Sequence, residues 1–383
     1  MKKANGYIDV YNTCRKQILN GEISSGERLP SIRELARFRS VSMVTAQRAV
    51  AKLQQDGYIK SNGRHGCVVI NEWMEPAKSR ASRHEEISQG RRPLKIGLLG
   101  FWEKEMTDYV FPPHLAIERI LINRVFGSGG SVVHFNIEAG YEHVPEVFAA
   151  SLLNSGMDVF FIVGFSVSQE WNARLAACLE KGGRVCVSYC QGVPWNGICD
   201  SIIDEDVWGI KELAMRLCRM GHRKIAFAGV DPVKPMYGWV ERRISGWRAG
   251  LLEMGRKAPA ESILLFKEDY DVHGKLNALK KYTAVVCCND AMAIGVISAL
   301  RESGLRVPED VSVTGYDNHP QKAPVFNLTT AAIPEEKVVS LFLSLVSKRM
   351  SKDEGLGEHM SMSVRPIIIS RGSWQALAEG AGK

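Results

Sequence analysis

A helical segment near the N-terminus carries side chains that could contact nucleic acid. Apolar residues recur there at the spacing i, i+3, i+4 and i+7, and they are Ala46, Ala49, Val50 and Leu53. Ser42 precedes this stripe and is a favourable helix N-cap. Met43, Gln47 and Arg48 lie away from the stripe and are free to enter a groove. Glutamine can bind adenine through two hydrogen bonds, so the hypothesis for Gln47 is an adenine contact.

The elements that would position this helix lie on both sides of it. An earlier helix is predicted at residues 8–19. Ser31 and Glu34 form an S-x-x-E capping box, which starts a second helix by pairing its free amide groups. Asn62-Gly63 is the turn signal of a following hairpin. Together these elements predict a winged helix-turn-helix domain over residues 1–71.

Positive charge is concentrated in the same part of the chain. Residues 1–93 hold 17 Lys and Arg against 9 Asp and Glu, a net +8, whereas residues 94–383 hold 32 against 33, a net −1. Such an excess is typical of a domain that binds a polyanion. Helix order, hairpin and charge therefore predict binding to double-stranded DNA, with a winged helix used for protein contacts as the alternative.

This segment resembles the N-terminal domain of the GntR family. The resemblance rests on Gly26-Glu27-Arg28-Leu29-Pro30-Ser31, Arg33-Glu34-Leu35-Ala36, Val41-Ser42 with Thr45, Leu53, Gly57-Tyr58-Ile59, and Gly66 with Val69. It implies that the start of the third helix and the tip of the hairpin approach DNA. With the outward-facing Arg48, the predicted DNA-contacting residues are Arg33, Ser42, Met43, Val44, Gln47, Arg48, Gly63, Arg64 and His65. For Arg33, a solvated residue in the first helical turn is the alternative.

Two departures from that family affect the expected base preference. Met43 and Gln47 stand where arginines are common, and Arg64 stands where a wing glycine is usual. Arginine side chains enter narrow minor grooves, so the hypothesis for Arg64 is a minor-groove contact. The base preference of the family therefore does not transfer to this chain.

The remaining sequence divides into a linker and a large α/β region. Residues 72–93 are rich in charged residues, Ser and Pro and lack an apolar period, which predicts a linker. In residues 94–383 short apolar runs alternate with helical segments, a pattern typical of parallel sheets covered by helices. The runs predicted as strands are Lys95–Leu99, Ser131–Phe135, Asp158–Val163, Arg184–Ser188, Lys224–Ala228, Ser262–Phe266, Ala284–Cys287, Val311–Thr314 and Pro366–Ser370. So many strands favour two doubly wound lobes with a ligand between them.

Residues 95–374 resemble the effector domain of the LacI/GalR family. The resemblance rests on Gly221-His222-Arg223-Lys224-Ile225-Ala226-Phe227-Ala228-Gly229, Arg243-Ile244-Ser245-Gly246-Trp247, Cys288-Asn289-Asp290, Met292-Ala293-Ile294-Gly295, Val307 to Asp317, Leu328-Thr329-Thr330 and Arg371-Gly372-Ser373. It implies the fold of periplasmic sugar-binding proteins and a small-molecule effector. A GntR-like DNA-binding domain followed by such an effector domain is the arrangement of arabinose-type repressors. The hinge helix usual in the LacI family is not evident in residues 72–93, so we expect coupling through dimer geometry.

Six residues are the candidates for effector binding: Trp102, Asp204, Arg243, Tyr270, Asn289 and Asp317. The resemblance places Arg243, Asn289 and Asp317 at ligand positions, where an arginine fork and a carboxylate suit hydroxyl or carboxylate groups. A structural ion pair is the alternative for Arg243 and Asp317, and a hinge or capping role is the alternative for Asp204. Trp102 and Tyr270 could offer flat surfaces to a sugar ring or be ordinary packing residues. Asp290 is expected to cap the helix that starts beside it.

Several other classes of protein are disfavoured by the sequence. The nine cysteines contain no Cys-x-x-Cys pair, and the histidines lack metal-ligand spacing. No apolar run is long enough to cross a bilayer, and the N-terminus lacks a signal-peptide core, so a cytoplasmic location is expected. No G-x-S-x-G, P-loop or H-E-x-x-H motif occurs. We expect a homodimeric, non-enzymatic regulator without a cofactor; a sugar-processing enzyme or a ligand-independent oligomerisation module in the C-terminal region is the alternative.

Overall fold

The computed structural model describes most of the chain. The described residues are 6–19, 22–23, 26–55, 58–63, 66–70, 77–100, 113–137, 140, 143–163, 169–191, 197–231, 238–267, 270–351 and 359–377. A small domain of helices and a hairpin comes first, and two lobes follow, each with a six-stranded sheet. The predicted α/β fold class is therefore confirmed.

The N-terminal domain contains three helices and an antiparallel hairpin. Its elements are α1 (Gly6–Leu19), α2 (Ile32–Phe38), α3 (Met43–Gln55), β1 (Ile59–Ser61) and β2 (Cys67–Val69). Ser31 and Glu34 form the predicted capping box of α2. At the start of α3, Ser42 Oγ accepts a hydrogen bond from the Thr45 amide at 3.1 Å. Both helix starts predicted from the sequence are confirmed.

An apolar core orients α3 within this domain. The four side chains predicted to face inward, Ala46, Ala49, Val50 and Leu53, are all buried. Helix α1 contributes Val10, Cys14 and Ile18, spaced four residues apart on one face. The opposite face of α3 is therefore directed outward.

The segment predicted as a linker contains a helix. Helix α4 spans Ala77–Ser88, within the predicted linker 72–93. Its Arg83 side chain is buried and donates a hydrogen bond to the Gly183 carbonyl at 3.1 Å. The linker prediction included no helix, because α4 packs partly through polar groups and lacks a strong apolar period. The domain boundaries drawn around this segment stay a prediction.

Lobe 1 is built on an all-parallel sheet with strand order β13-β7-β6-β5-β3-β4. Its elements are β3 (Lys95–Gly100), α5 (Pro113–Gly127), β4 (Ser131–Asn136), α6 (Pro145–Leu153), β5 (Val159–Val163), α7 (Gln169–Lys181), β6 (Val185–Gln191), β7 (Asp200–Asp204), α13 (Glu335–Met350) and β13 (Ser361–Val364). Strand β5 is buried along its whole length, as expected for a strand with both faces covered.

Lobe 2 has the strand order β14-β12-β11-β10-β8-β9, and only the β12–β14 pair is antiparallel. Its elements are α8 (Asp206–Arg219), β8 (Ile225–Val230), α9 (Gly238–Glu253), β9 (Ile263–Phe266), α10 (Leu276–Leu279), β10 (Ala284–Cys287), α11 (Asp290–Glu302), β11 (Ser312–Tyr316), α12 (Lys322–Val325), β12 (Thr329–Ala332) and β14 (Ile367–Ile369). Short 3-10 turns lie at Ala260–Ser262 and His273–Lys275.

The nine predicted strands are present, but three further strands were missed. Strands β7, β12 and β13 read DSIID, TTAA and SMSV, so each carries few large apolar side chains. Their polar groups are bonded within the fold; for example, Asp200 of β7 accepts a hydrogen bond from Arg349 Nε at 2.8 Å. A search for apolar runs cannot detect strands of this composition.

The chain passes between the lobes three times among the described residues. The crossings are Glu205, Ile333-Pro334 and Arg365-Pro366, between β7 and α8, β12 and α13, and β13 and β14. Two crossings are bonded to each other: Glu205 N donates to the Val364 carbonyl at 3.0 Å, and Arg365 Nε donates to Glu205 Oε2 at 2.8 Å. Side-by-side crossings of this kind form a hinge about which two lobes can close.

Candidate DNA interface and effector site

The outward face of α3 presents the side chains expected to meet DNA. Met43 and Val44 are 48% and 61% exposed, although both are large and apolar. Gln47 and Arg48, one turn further on, are exposed as well. Ser42 is exposed, but its hydroxyl is already used to cap the helix. The start of α3 therefore offers both apolar and hydrogen-bonding groups at one surface.

The remaining predicted DNA contacts lie on α2 and the hairpin. Arg33 is exposed in the first turn of α2. Gly63 is exposed with φ +57°, a left-handed conformation that glycine adopts without strain. Arg64 and His65, the predicted wing tip, lie outside the described residues.

In lobe 2, a buried arginine lies at the carboxyl ends of neighbouring strands. Arg243 of α9 is 1% exposed. Its Nη1 donates a hydrogen bond to the Cys288 carbonyl after β10, and its Nη2 lies 3.5 Å from Asp317 Oδ1 after β11. The guanidinium carbon is 3.7 Å from the Tyr316 ring centre and 4.6 Å from that of Trp239. Ligands of doubly wound sheets bind at this edge, so the position agrees with a ligand site.

Asp317 combines a strained backbone with a largely buried carboxyl group. Its φ is +106°, which is costly for a residue with a side chain, and its amide donates to the Ala331 carbonyl at 2.8 Å. Burial raises the pKa of Asp317 to about 7, although Arg243 opposes the shift. Strain of this kind is concentrated at functional sites, which supports a role for Asp317 beyond packing.

Asn289 takes the capping role that the sequence predicted for its neighbour Asp290. Asn289 caps α11, because its Oδ1 accepts a hydrogen bond from the Met292 amide at 2.9 Å. Its Nδ2 donates to the Tyr270 hydroxyl at 3.3 Å, which brings two candidate residues together. Asp290 was expected to be the cap, and that prediction was wrong. Its carboxylate instead accepts hydrogen bonds from the Thr330 hydroxyl and the His319 amide.

Asp204 lies where the chain leaves lobe 1. The Tyr316 hydroxyl of lobe 2 lies 3.1 and 3.0 Å from its two carboxylate oxygens, so a hydrogen bond joins the lobes here. Burial, and secondly the charge of Asp206, raise the pKa of Asp204 to about 8. This geometry favours the hinge role that was the alternative for Asp204. Trp102, the remaining candidate, lies outside the described residues.

Within the described ranges, no group of three or more His, Cys, Asp and Glu side chains could hold a metal ion. No described helix has the length and apolar character to span a membrane.

Comparison with known proteins identifies both parts of the chain. Residues 7–69 match the family described as bacterial regulatory proteins, gntR family, and residues 214–374 match the periplasmic binding protein-like domain. The chain is a transcription regulator with a gntR-type domain and a periplasmic binding protein-like domain. The resemblance seen in the sequence is thereby confirmed.

Two curated relatives of the regulator are each named HTH-type transcriptional repressor PurR. The protein of Mannheimia succiniciproducens is 31% identical over 191 residues, which are 48% of the regulator and 56% of that protein. The protein of Erwinia tasmaniensis is 26% identical over 370 residues, covering 92% and 98% of the two chains. The first alignment thus spans about half of its relative, whereas the second spans nearly all.

Solved structures show the same fold. A LacI family regulator from Enterococcus faecium with bound ribose has a TM-score of 0.57 and 23% identity, covering 74% of the regulator and 100% of that chain. The transcriptional regulator CelR in complex with cellobiose has a TM-score of 0.58 and 20% identity, covering 90% and 100%. At these identities the likeness concerns the fold.

Two residues of the candidate effector site were not among the residues predicted from the sequence. Tyr316 and Trp239 lie against the Arg243 guanidinium, and Tyr316 also contacts Asp204. Tyr316 directly precedes Asp317 at the end of β11, so its position beside a candidate was a usable signal. Trp239 had no comparable signal, because only the fold of α9 brings it next to Arg243.

Proposed function

We propose that the regulator is a homodimeric repressor that binds a pseudo-palindromic operator and releases it when a small carbohydrate binds between its lobes. The observation that carries the proposal is that one chain has two different surfaces. One is the exposed face of α3 on a basic domain, which suits a polyanion such as DNA. The other is the polar cluster of Asp204, Arg243 and Asp317 where the lobes meet, which suits a small polar ligand.

On the DNA side, α3 enters the major groove with its N-terminal residues toward the bases. Gln47 binds adenine through its amide, and Met43 and Val44 provide apolar contacts of the kind that thymine methyl groups accept. Arg33 and Arg48 bind phosphates and so contribute to affinity more than to base choice. Gly63, Arg64 and His65 bring the wing to the minor groove.

On the effector side, the ligand lies above Arg243 and Asp317 at the carboxyl ends of β10 and β11. A carboxylate and a guanidinium suit the hydroxyl groups of a sugar, because both form strong, directional hydrogen bonds. The ribose and cellobiose bound in the compared structures support this ligand class. A purine-like ligand is the alternative, since an aromatic residue such as Tyr270 could also stack on a flat ring.

The proposed dimer uses an apolar surface on lobe 1. Helix α5 exposes Ile122 and Phe126, one turn apart, and Phe126 is 78% exposed. Val133 on the edge strand β4 is 39% exposed. Large apolar side chains on an edge strand and its neighbouring helix are a liability in a monomer, so a second copy that covers them is favoured.

The two sites communicate through the hinge. When a ligand closes the lobes, Glu205, Ile333-Pro334 and Arg365-Pro366 change conformation and the two DNA-binding domains move relative to each other. The change in operator affinity can be no larger than the ligand's preference for the closed arrangement.

Salt-dependent DNA binding tests the proposal. With about 6–10 phosphate contacts, affinity for duplex DNA should fall roughly 10³–10⁵-fold between 50 and 200 mM salt, measured by fluorescence anisotropy. In parallel, thermal-shift screening with sugars and purine bases should reveal a ligand that also weakens operator binding. A flat salt response would contradict the DNA-binding role, and a stabilising ligand without effect on DNA would contradict the coupling.

A further inference from the structure

Helix α4 connects the DNA-binding domain to lobe 1 and is bound at one end of the lobe 1 sheet. Asp158 directly precedes β5 and Gly183 lies just before β6, so both mark the amino ends of parallel strands. Arg83 of α4 joins them: Nη2 donates to the Gly183 carbonyl at 3.1 Å, and Nη1 lies 3.5 Å from Asp158 Oδ1. Helix α4 is therefore attached at the edge opposite the proposed effector site.

Asp158 is a fully buried carboxylate that joins three parts of the chain. Besides Arg83, Arg92 Nη2 lies 3.3 Å from its Oδ1, and the Lys95 amide donates to its Oδ2 at 3.0 Å. The amide of Asp158 in turn donates to the Lys95 carbonyl at 2.8 Å. A buried carboxylate is stable only when its oxygens are well bonded, so these contacts depend on one another.

Further packing fixes α4 against lobe 1. Ile87 lies one turn after Arg83 on the same face and packs against the core of the lobes. Helix α4 also packs against α13, which enters lobe 1 directly after the Ile333-Pro334 crossing. Polar and apolar contacts together make α4 part of the body of lobe 1.

We propose that α4 is a rigid arm of lobe 1, and that Arg83 is a positioning residue that acts through Asp158 to limit how far the two DNA-binding domains of a dimer can separate. The inference rests on the proposed dimeric DNA binding. Neither residue contacts DNA or effector in this scheme.

Tether length gives the expected size of the effect. A docked α4 takes residues 77–94 out of the 24-residue connection 71–94, so the tether length falls roughly fourfold. The effective concentration of a tethered second binding site falls as about the −3/2 power of tether length. Releasing α4 should therefore weaken binding to a two-half-site operator roughly eightfold and leave binding to one half-site unchanged.

The experiment compares wild-type protein with Arg83→Ala on two duplexes. A duplex selected by the wild-type protein from random-sequence DNA supplies the full site, and half of it supplies the single site. For Arg83→Ala we expect about eightfold weaker binding to the full site and less than about twofold change on the half-site. Insertions between the half-sites should weaken wild-type binding more than variant binding, because the released arm tolerates a wider separation.

Two further variants make the result specific. Arg91→Ala is the matched control, since Arg91 belongs to the same segment but forms only an exposed pair with Glu85 at 3.9 Å. Asp158→Asn keeps the shape of the carboxylate and should reproduce the Arg83→Ala effect. If Arg83→Ala fails to fold by circular dichroism, Asp158→Asn provides the test.

Hydrogen exchange distinguishes a failure of the α4 proposal from a failure of the proposed function. Amides of α4 should exchange slowly in the wild-type protein and faster in Arg83→Ala. If the wild-type protein binds no selected duplex, the proposed function is contradicted. Slow exchange of the α4 amides would still support the docking of α4 on lobe 1 in that case. The proposal of a rigid arm is overturned if the α4 amides of the wild-type protein exchange rapidly. It is also overturned if Arg83→Ala keeps the wild-type affinity and spacing preference.

Discussion

The DNA-binding domain and the effector site hold their polar side chains in opposite ways. In α3 the candidate contacts are exposed, and the hydrogen bonds near them, such as the Ser42 cap, are made within one turn of the chain. In lobe 2 the candidates are buried or half-buried and bonded across elements, as Arg243 is to Asp317 and Cys288. In the proposed function the first surface meets a large partner without rearranging, whereas the second balances its own charges until a ligand enters.

The contrast has a physical consequence. Exposed charges interact through water, so salt weakens them and single substitutions change stability little. Buried charges are screened much less, so they respond strongly to the loss of one partner and to pH. Each of the following experiments tests one side of this contrast.

The largest effect is expected from Arg243→Ala. Removing this side chain leaves the Asp317 carboxylate without its close cation, whereas Asp206 keeps the Arg242 guanidinium at 3.2 Å. Breaking a buried pair in this way typically costs about 3–5 kcal/mol of unfolding free energy. Urea unfolding measures the loss, and thermal-shift screening should show no ligand response. Arg248→Ala on the exposed face of the same helix should change stability by less than about 0.5 kcal/mol. A variant with normal stability and ligand response would remove Arg243 from the site.

A smaller effect, confined to recognition, is expected from Gln47→Ala. If Gln47 binds adenine, its loss should reduce discrimination at one operator position by about 1–3 kcal/mol while stability stays unchanged. Competition binding with single-base operator variants measures this. Gln55→Ala, at the exposed C-terminal end of α3, is the control. Unchanged relative affinities for operator variants would exclude the adenine contact.

The smallest effect is the pH dependence of the effector domain. The pKa values of Asp204 and Asp317, about 8 and about 7, lie above their ordinary value, so the folded state keeps protons that the unfolded chain has lost. Stability should therefore fall as pH rises through this window. We expect Tm to decrease by a few degrees between about pH 6.5 and about pH 8, at about 2–4 °C per kcal/mol. The decrease should be smaller in Asp204→Asn, and equal slopes for both proteins would contradict the assignment.

Sequence reasoning succeeded where local chemistry determines structure. The capping box of Ser31 and Glu34, the cap at Ser42 and the inward face of α3 depend on residues within a few positions of each other. Regular apolar runs located nine strands for the same reason. The resemblance to known families then supplied the order of the two domains.

It failed where distant residues determine structure. Helix α4 depends on Asp158, far along the chain, and β12 is stabilised by pairing with β11 and β14 rather than by its own TTAA sequence. The cap was assigned to Asp290 instead of Asn289 because both residue types are good caps, and only the fold brings Thr330 and His319 to Asp290. Charge networks of this kind leave no local pattern in a sequence.

The cap at α11 also limits what Asn289 can offer to a ligand. Its oxygen is occupied by the Met292 amide, and one amide hydrogen is directed to the Tyr270 hydroxyl. One N–H and the second lone pair of Oδ1 are left to point elsewhere, because an amide oxygen has two lone pairs. A ligand group at Asn289 can therefore make one hydrogen bond of each direction there, which suits a sugar hydroxyl because it both donates and accepts.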